Sequence, residues 1–192
     1  MRQLMIGFFA AALLCSPALA QSGVTVGELG YGGSGCPDGT AKVSLSTGGK
    51  GLALRFTRYR AVASGSKSFD RKSCAISVPV SVPAGKSVTA IAADYRGYNR
   101  LPSGASSRFN VEYFTPGTEG EVATRSFKGP TSGAFTLSDR GAAIASRCGQ
   151  DFVLRINTSL RVTAGSRGEA SATISSQDVS TALAYRFELR DC

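Results

Sequence analysis

Apolar residues alternate with polar ones in two runs between the last two cysteines, Cys148 and Cys192. The apolar positions are even-numbered in Phe152–Val162 and odd-numbered in Val179–Leu189, with arginines among the residues between them. Each run predicts a strand with one buried and one solvent-exposed face. We predict that the two strands form an antiparallel pair. If they pair without a bulge, Cys148 and Cys192 do not oppose one another, because opposed residue numbers then sum to an odd value.

The N-terminal segment resembles a signal peptide. Arg2 supplies a charge, Leu4–Leu14 is an apolar stretch too short to span a membrane, and Ala18–Ala20 is a small-residue cleavage site. We predict that residues 1–20 are cleaved and that residues 21–192 form a single domain. No later apolar run approaches the roughly 20 residues of a membrane helix. The sequence therefore predicts a secreted protein, periplasmic or extracellular, without a membrane span.

Removal of the leader leaves four cysteines: Cys36, Cys74, Cys148 and Cys192. An even number of cysteines in an exported chain predicts two disulfides. Three pairings are possible, and the sequence alone does not choose among them. We favour Cys36 with Cys74 and Cys148 with Cys192, because each pair brackets its own strand pair.

The rest of the chain is a series of short strands separated by glycine, proline and serine. We predict a hairpin of residues 41–46 and 52–57, and a strand Cys74–Val82 in which Pro79 marks an edge or an interruption. We also predict strands at 87–95, 109–113, 121–128 and 134–137, a loop after Tyr95, and a helical turn near 142–145. Many short strands with turns between them indicate an all-β fold, an antiparallel β-sandwich stabilised by two disulfides.

Several short motifs recur in a fixed order around the cysteines. They are GSGCP at 33–37, RKSC at 71–74, VPAG at 82–85, YRG at 95–97, CG at 148–149, LRINT at 154–158 and the terminal Cys192. In this order and spacing the chain resembles the DUF4360 family of secreted proteins over nearly all of the mature sequence. The resemblance implies an exported all-β domain, supports the favoured cysteine pairs and brings no activity, because the family is named for its unknown function.

The chain has no histidine, which excludes Ser-His-Asp and Cys-His nucleophiles and histidine metal sites. Ser64 and Lys67 match a Ser-x-x-Lys spacing, and Glu119 with Glu121 could serve as paired carboxylates. Both pairs lie among turn residues, so an enzyme is the alternative hypothesis. A second alternative is a secreted protease inhibitor that presents the loop Tyr95–Pro102. We predict no catalytic residue, no cofactor and no metal site.

The remaining signal is positive charge. The net charge is +9, and sixteen arginines outnumber six lysines. Arginine suits bidentate contact with carboxylate, sulfate or phosphate. One interpretation is a solvated surface. The other is a binding face for an anionic envelope polymer or another exported protein, with no dedicated nucleic-acid target. The candidate anion-binding residues are Arg58, Arg60, Arg71, Lys72, Arg96 and Arg100.

Overall fold

The structure is a computed structural model that describes residues 23–46, 49–139, 144–174 and 183–192. The predicted signal peptide lies outside these ranges. Within them the chain forms strands β1 (Thr25–Val26), β2 (Gly30–Gly32), β3 (Ala41–Leu45), β4 (Gly51–Phe56), β5 (Arg60–Ala63), β6 (Phe69–Ser81), β7 (Lys86–Leu101), β8 (Ser106–Phe114), β9 (Glu121–Lys128), β10 (Thr131–Asp139), β11 (Ile144–Ala145), β12 (Phe152–Thr163), β13 (Ala170–Thr173) and β14 (Leu183–Asp191). No helix among the described residues is long and apolar enough to cross a membrane.

The strands form two antiparallel sheets. Sheet A has the order β1-β6-β12-β8-β9. β2 pairs with the same edge of β6 as β1 does, at residues closer to the start of β6. Sheet B is built around β7, which pairs along one edge with β14 and then β13, and along the other edge with β10 and β11. β3 and β4 extend sheet B beyond β14, and β5 extends it beyond β13. These features confirm the predicted all-β, antiparallel sandwich.

The core lies between the inner faces of the two sheets. On β12 the predicted inward positions Leu154, Ile156, Leu160 and Val162 are all buried. Aromatic rings meet across the interface, with centroids 5.6 Å apart for Tyr95 and Phe109 and 6.3 Å apart for Tyr113 and Tyr185. The alternating apolar pattern therefore marks the inner faces of the sandwich, as the sequence predicts.

The predicted pairing of the last two strands is wrong. β12 lies in sheet A between β6 and β8, whereas β14 lies in sheet B between β4 and β7. The physical reason is that strands of two facing sheets show the same alternation, because each buries one face in the common core. The odd-sum register rule presupposed direct pairing and therefore does not apply. Val179, the predicted start of the second run, lies outside the described residues.

The predicted loop after Tyr95 is also wrong, because β7 continues to Leu101. Phe135 of β10 lies directly opposite Gly97 on one edge, and Ala172 of β13 lies opposite Asn99 on the other. Backbone pairing on both edges outweighs the weak strand preference of glycine and asparagine in this segment. The segment that the inhibitor hypothesis takes as an exposed loop is thus part of an inner strand of sheet B.

Pro79 neither interrupts β6 nor lies on an edge strand, so both predicted alternatives are wrong. Its carbonyl accepts a hydrogen bond from Gly27 N–H at 2.9 Å, just where pairing with β1 ends. The N and O atoms of one strand residue point to the same side, so the missing N–H of Pro79 faces the gap between β1 and β2. The ladder to β12 on the other side is left intact.

Two other local predictions have different outcomes. The hairpin of β3 and β4 is confirmed, with Leu52, Leu54 and Phe56 buried on one face. The helical turn near 142–145 is wrong for its described part, because Ile144 and Ala145 form β11 and pair with β7. Residues 142 and 143 lie outside the described ranges.

The two favoured disulfides are confirmed. Cys36 and Cys74 have Cα atoms 5.5 Å apart, and Cys148 and Cys192 have Cα atoms 6.0 Å apart. The first pair is fully buried beside β6, and the second is exposed where the chain enters β12 and leaves β14. One bridge therefore belongs to the core, and the other connects the two sheets at the surface.

A short chain of buried hydroxyl groups connects the link between β4 and β5 to sheet A. The Tyr59 hydroxyl lies 2.9 Å from Thr158 Oγ1, which lies 3.2 Å from the Cys74 carbonyl oxygen. A carbonyl only accepts, so Thr158 donates its single proton to Cys74. The Tyr59 hydroxyl has two acceptors within reach, and it donates to Thr158 because Thr158 Oγ1 is at 2.9 Å and the Lys72 carbonyl oxygen is at 3.5 Å. Burial raises the pKa of Tyr59 above its ordinary value, against the lowering effect of the Arg71 charge.

We expect Tyr59→Phe to cost about 1 kcal/mol at neutral pH, because it leaves the buried Thr158 oxygen without its donor. At alkaline pH the difference should shrink. The unfolded tyrosine ionises near pH 10 while the folded one stays protonated, so this group's stabilisation is complete below about pH 10 and is lost above it. Chemical denaturation between pH 7 and 11 measures both effects. Curves that stay parallel for the wild type and Tyr59→Phe would contradict this account.

Candidate functional site

The six predicted anion-binding residues are divided between opposite sides of the sandwich. Arg71 is exposed on the outer face of sheet A, and Lys72 beside it is half-buried with its side chain on the inner side of β6. Arg96 and Arg100 lie on the outer face of sheet B, while Arg58 is exposed in the link between β4 and β5. Arg60, on β5, forms an ion pair of 3.3 Å with Glu169. The structure therefore does not bring these six residues together.

Arg71 instead belongs to a row of arginines that crosses sheet A. Arg161 of β12 lies directly opposite Arg71 of β6 on one side and Arg108 of β8 on the other. All three are exposed on the outer face, and neighbouring strands are about 4.8 Å apart. None of the three forms an ion pair with an acidic residue in the described ranges. We call Arg71, Arg108 and Arg161 the arginine row.

Next to the row lies a shallow hollow of about 290 Å³, here called the cationic depression. Arg161 and Arg108 border it, and its third cation is Lys128 of β9. Arg161 is held by Phe69, whose ring centroid lies 4.7 Å from the guanidinium carbon. Hydroxyl groups complete the wall, and no acidic residue is among the described residues that line it. The other lining residues are Ser106, Ser107, Ser126, Phe127 and Thr163.

A second hollow of about 440 Å³ lies on the other side of the arginine row, and we call it the amide groove. Its floor is low because Ser73, Ala75 and Ser159 have short side chains and Gly32 has none. Asn110 Oδ1 accepts hydrogen bonds from Arg108 Nε at 3.2 Å and Thr124 Oγ1 at 2.9 Å. Asn157 Nδ2 donates to Glu112 Oε2 at 3.2 Å. The groove therefore presents fixed amide, hydroxyl and carboxylate groups to solvent.

The hollows that contain arginine on sheet B differ in charge from the cationic depression. One includes Arg55, Arg96 and Arg186, but also Asp94, which lies 3.2 Å from the Arg186 guanidinium. Another includes Arg100 together with Glu169. In both, a carboxylate offsets part of the positive charge. The cationic depression on sheet A is the better candidate site for an anion.

The Ser64–Lys67 pair lies in the turn between β5 and β6, and its two side chains have other partners. The Lys67 ammonium contacts Asp70 Oδ1 at 2.6 Å, and Ser64 Oγ lies 3.2 Å from Ser66 Oγ. Burial alone would raise the pKa of Asp70, but hydrogen bonds from Lys67 and Val62 N–H and the charge of Lys72 outweigh it and lower the pKa. The geometry assigns Lys67 to an ion pair that closes the turn.

The carboxylates of Glu119 and Glu121 are both exposed, in the link from β8 to β9 and at the first position of β9. Neither lines the amide groove or the cationic depression. The acid that lines the amide groove is Glu112, which lies opposite Asn157 of β12.

Sequence analysis missed Arg108, Arg161, Lys128 and Glu112 as site residues. The alternation in β8 and β12 does place Arg108 and Arg161 on the solvent-exposed faces of their strands. Which arginines face one another depends on the register between strands far apart in sequence, and a pattern within one strand does not contain that information.

Two solved structures align with most of the chain but superpose loosely. One is TmCBM61 in complex with beta-1,4-galactotriose, at 15% identity and a TM-score of 0.30, covering 85% of this chain and 88% of the other. The second is a family 11 carbohydrate-binding module from Clostridium thermocellum in complex with a beta-1,3-1,4-mixed-linked tetrasaccharide. It is 11% identical with a TM-score of 0.22, covering 88% of this chain and 91% of the other.

Sequence comparison gives a closer relationship. A protein of Arthroderma benhamiae named "Uncharacterized secreted protein" is 33% identical over 159 residues, which is 80% of this chain. The chain spans 64% of the length of that relative. The secreted relative and the two disulfides agree that this protein is secreted. The model of the family described as "Domain of unknown function (DUF4360)" matches residues 22–192, and the chain therefore belongs to that family.

Proposed function

We propose that this protein is a secreted, non-enzymatic binding protein that holds an anionic polymer against the outer face of sheet A. The observation that carries the proposal is the arginine row, in which Arg161 opposes Arg71 and Arg108 on adjacent strands. Like charges directly opposite one another destabilise a sheet. Bound anionic groups between them would remove that repulsion.

Arginine is well suited to this task. Its planar guanidinium makes paired hydrogen bonds to carboxylate, sulfate or phosphate groups. A single exposed ion pair contributes only about 0–1 kcal/mol, so useful affinity requires several cations that engage one ligand together. The arginine row and Lys128 supply four such cations on one face, next to hydroxyl donors in the cationic depression.

The test is a triple variant, Arg71→Gln, Arg108→Gln and Arg161→Gln, applied to a heparin column in a salt gradient. We expect the wild type to be retained at low salt and to elute as salt screens its charges. The triple variant should lose at least tenfold in affinity for heparin, because it keeps the shape of the face but loses the three adjacent charges. Binding to soluble heparin, measured by calorimetry at two salt concentrations, gives the same comparison in solution.

The matched control is Arg60→Gln, Arg96→Gln and Arg100→Gln, which removes the same charge from sheet B. It should bind heparin within about twofold of the wild type, since the net charge is equal in the two variants and only the face differs. Equal losses in both variants would mean that heparin responds to total charge. Unchanged binding in the sheet A variant would mean that the arginine row is a solvated surface and does not bind heparin.

A further inference from the structure

The arginine row separates two hollows of different chemistry on the same face. The cationic depression carries Arg108, Arg161 and Lys128, whereas the amide groove carries amides, hydroxyls and the carboxylate of Glu112, with Arg71 of the row at its border. We propose that the bound polymer is an acidic polysaccharide in which charged sugars alternate with uncharged ones. This inference rests on the proposed function, and it adds the class of ligand and a role for Glu112.

The cationic depression fits the charged group of such a polymer. Its cations surround hydroxyls of Ser106, Ser126 and Thr163, which can donate to a carboxylate or sulfate oxygen. From Ser106 to Glu112 the strand β8 advances about 20 Å, at about 3.4 Å per residue. The face is therefore long enough for an extended chain to contact both hollows at once.

The amide groove fits an uncharged sugar. Asn110 and Asn157 are held by their hydrogen bonds to Thr124, Arg108 and Glu112. The Glu112 carboxylate accepts from Asn157, and a carboxylate has capacity for about four hydrogen bonds, so sugar hydroxyls can donate to it as well. A chain with a negative charge at every unit would instead meet the Glu112 carboxylate in this groove, where Arg71 is the one cation among the described lining residues to offset it.

The same features disfavour a single-stranded nucleic acid. Proteins that bind single strands stack successive bases on exposed aromatic rings. Phe69 is 43% exposed on this face, and the Arg161 guanidinium lies over its ring. The amide groove has no aromatic side chain among the described residues that line it.

The experiment uses Glu112→Gln, which keeps the size of the side chain and raises the net charge of the face by one. The probes are hyaluronan oligosaccharides, which carry a carboxylate on every second sugar, and polyphosphate of matched total charge. We expect Glu112→Gln to weaken hyaluronan binding about fivefold, since a sugar hydroxyl loses its charged acceptor. We expect the same variant to bind polyphosphate as well as or better than the wild type.

The other outcomes distinguish failure of the polysaccharide proposal from failure of the proposed function. Stronger binding of both probes by Glu112→Gln would leave the binding of an anionic polymer in place and refute the polysaccharide. Binding of polyphosphate or single-stranded DNA without binding of hyaluronan would refute it too. If the triple arginine variant binds both probes like the wild type, the proposed function itself fails. Unchanged thermal unfolding of Glu112→Gln confirms that the fold is intact.

Discussion

Replacing Cys36 and Cys74 together by alanine is expected to lower the free energy of unfolding by about 5 kcal/mol. Loop closure accounts for about 4 kcal/mol, because the bridge joins residues 38 positions apart. The remainder is lost packing, since both cysteines are fully buried in the core. For a domain of this size the melting temperature should fall by about 10–20 °C, which differential scanning calorimetry measures directly.

The second disulfide provides a matched control. Cys148 and Cys192 are 44 positions apart, so the loop-closure contribution is nearly the same, but both residues are exposed. Alanine at both positions should therefore cost about 1 kcal/mol less than alanine at Cys36 and Cys74. Equal melting temperatures for the two double variants would show that burial of the first bridge adds nothing to its loop closure.

Replacing Gly97 by alanine is expected to cost about 3 kcal/mol, an unusually large effect for one added methyl group. Gly97 lies opposite Phe135, and a Cβ at this position would be about 2.5 Å from the Phe135 ring and closer still to the Thr173 carbonyl. The Phe135 ring also packs on Phe127 of β9, with centroids 4.5 Å apart. The methyl group would therefore disturb the side of the sandwich where β9 and β10 meet.

Gly133→Ala is the control for this prediction. Gly133 is also a glycine of sheet B, opposite Asn99, but an added Cβ there meets no atom within 4 Å. Its substitution should be neutral or slightly stabilising, because alanine loses less conformational entropy than glycine on folding. Urea denaturation of both variants gives the comparison. A similar loss in the two would mean that glycine at 97 is not required by contact with Phe135 and Thr173.

The alternation of β6 and β12 predicted their buried faces residue by residue, because a period of two follows directly from strand geometry. It did not predict their partners. β12 pairs with β6 and β8, and nothing in its own sequence distinguishes them from β14. Gly97 shows a second limit: its local composition indicates a turn, whereas the position needs a glycine because Phe135, 38 residues later, covers the backbone there.

The candidate site was likewise predictable only in part from the sequence. Arginine content and the choice of Arg71 as a candidate residue were accessible from the sequence, and they gave the hypothesis of an anionic partner. The grouping was not accessible, because Arg71, Arg108 and Arg161 meet only through the register of three strands. Arg96 and Arg100, which are closer to Arg71 in sequence than Arg108 and Arg161 are, lie instead on the opposite sheet.

β14 comes last among the strands in sequence, yet it lies inside sheet B between β4 and β7. During synthesis, β4 and β7 are made long before the strand that must join them. Until β14 arrives, each has an unpaired edge, and such edges recruit other chains into aggregates. A premature stop before Leu183 would therefore not yield a slightly shorter domain. It would leave two part-sheets with open edges, which makes the synthesis of the last strand a condition for solubility of the whole chain.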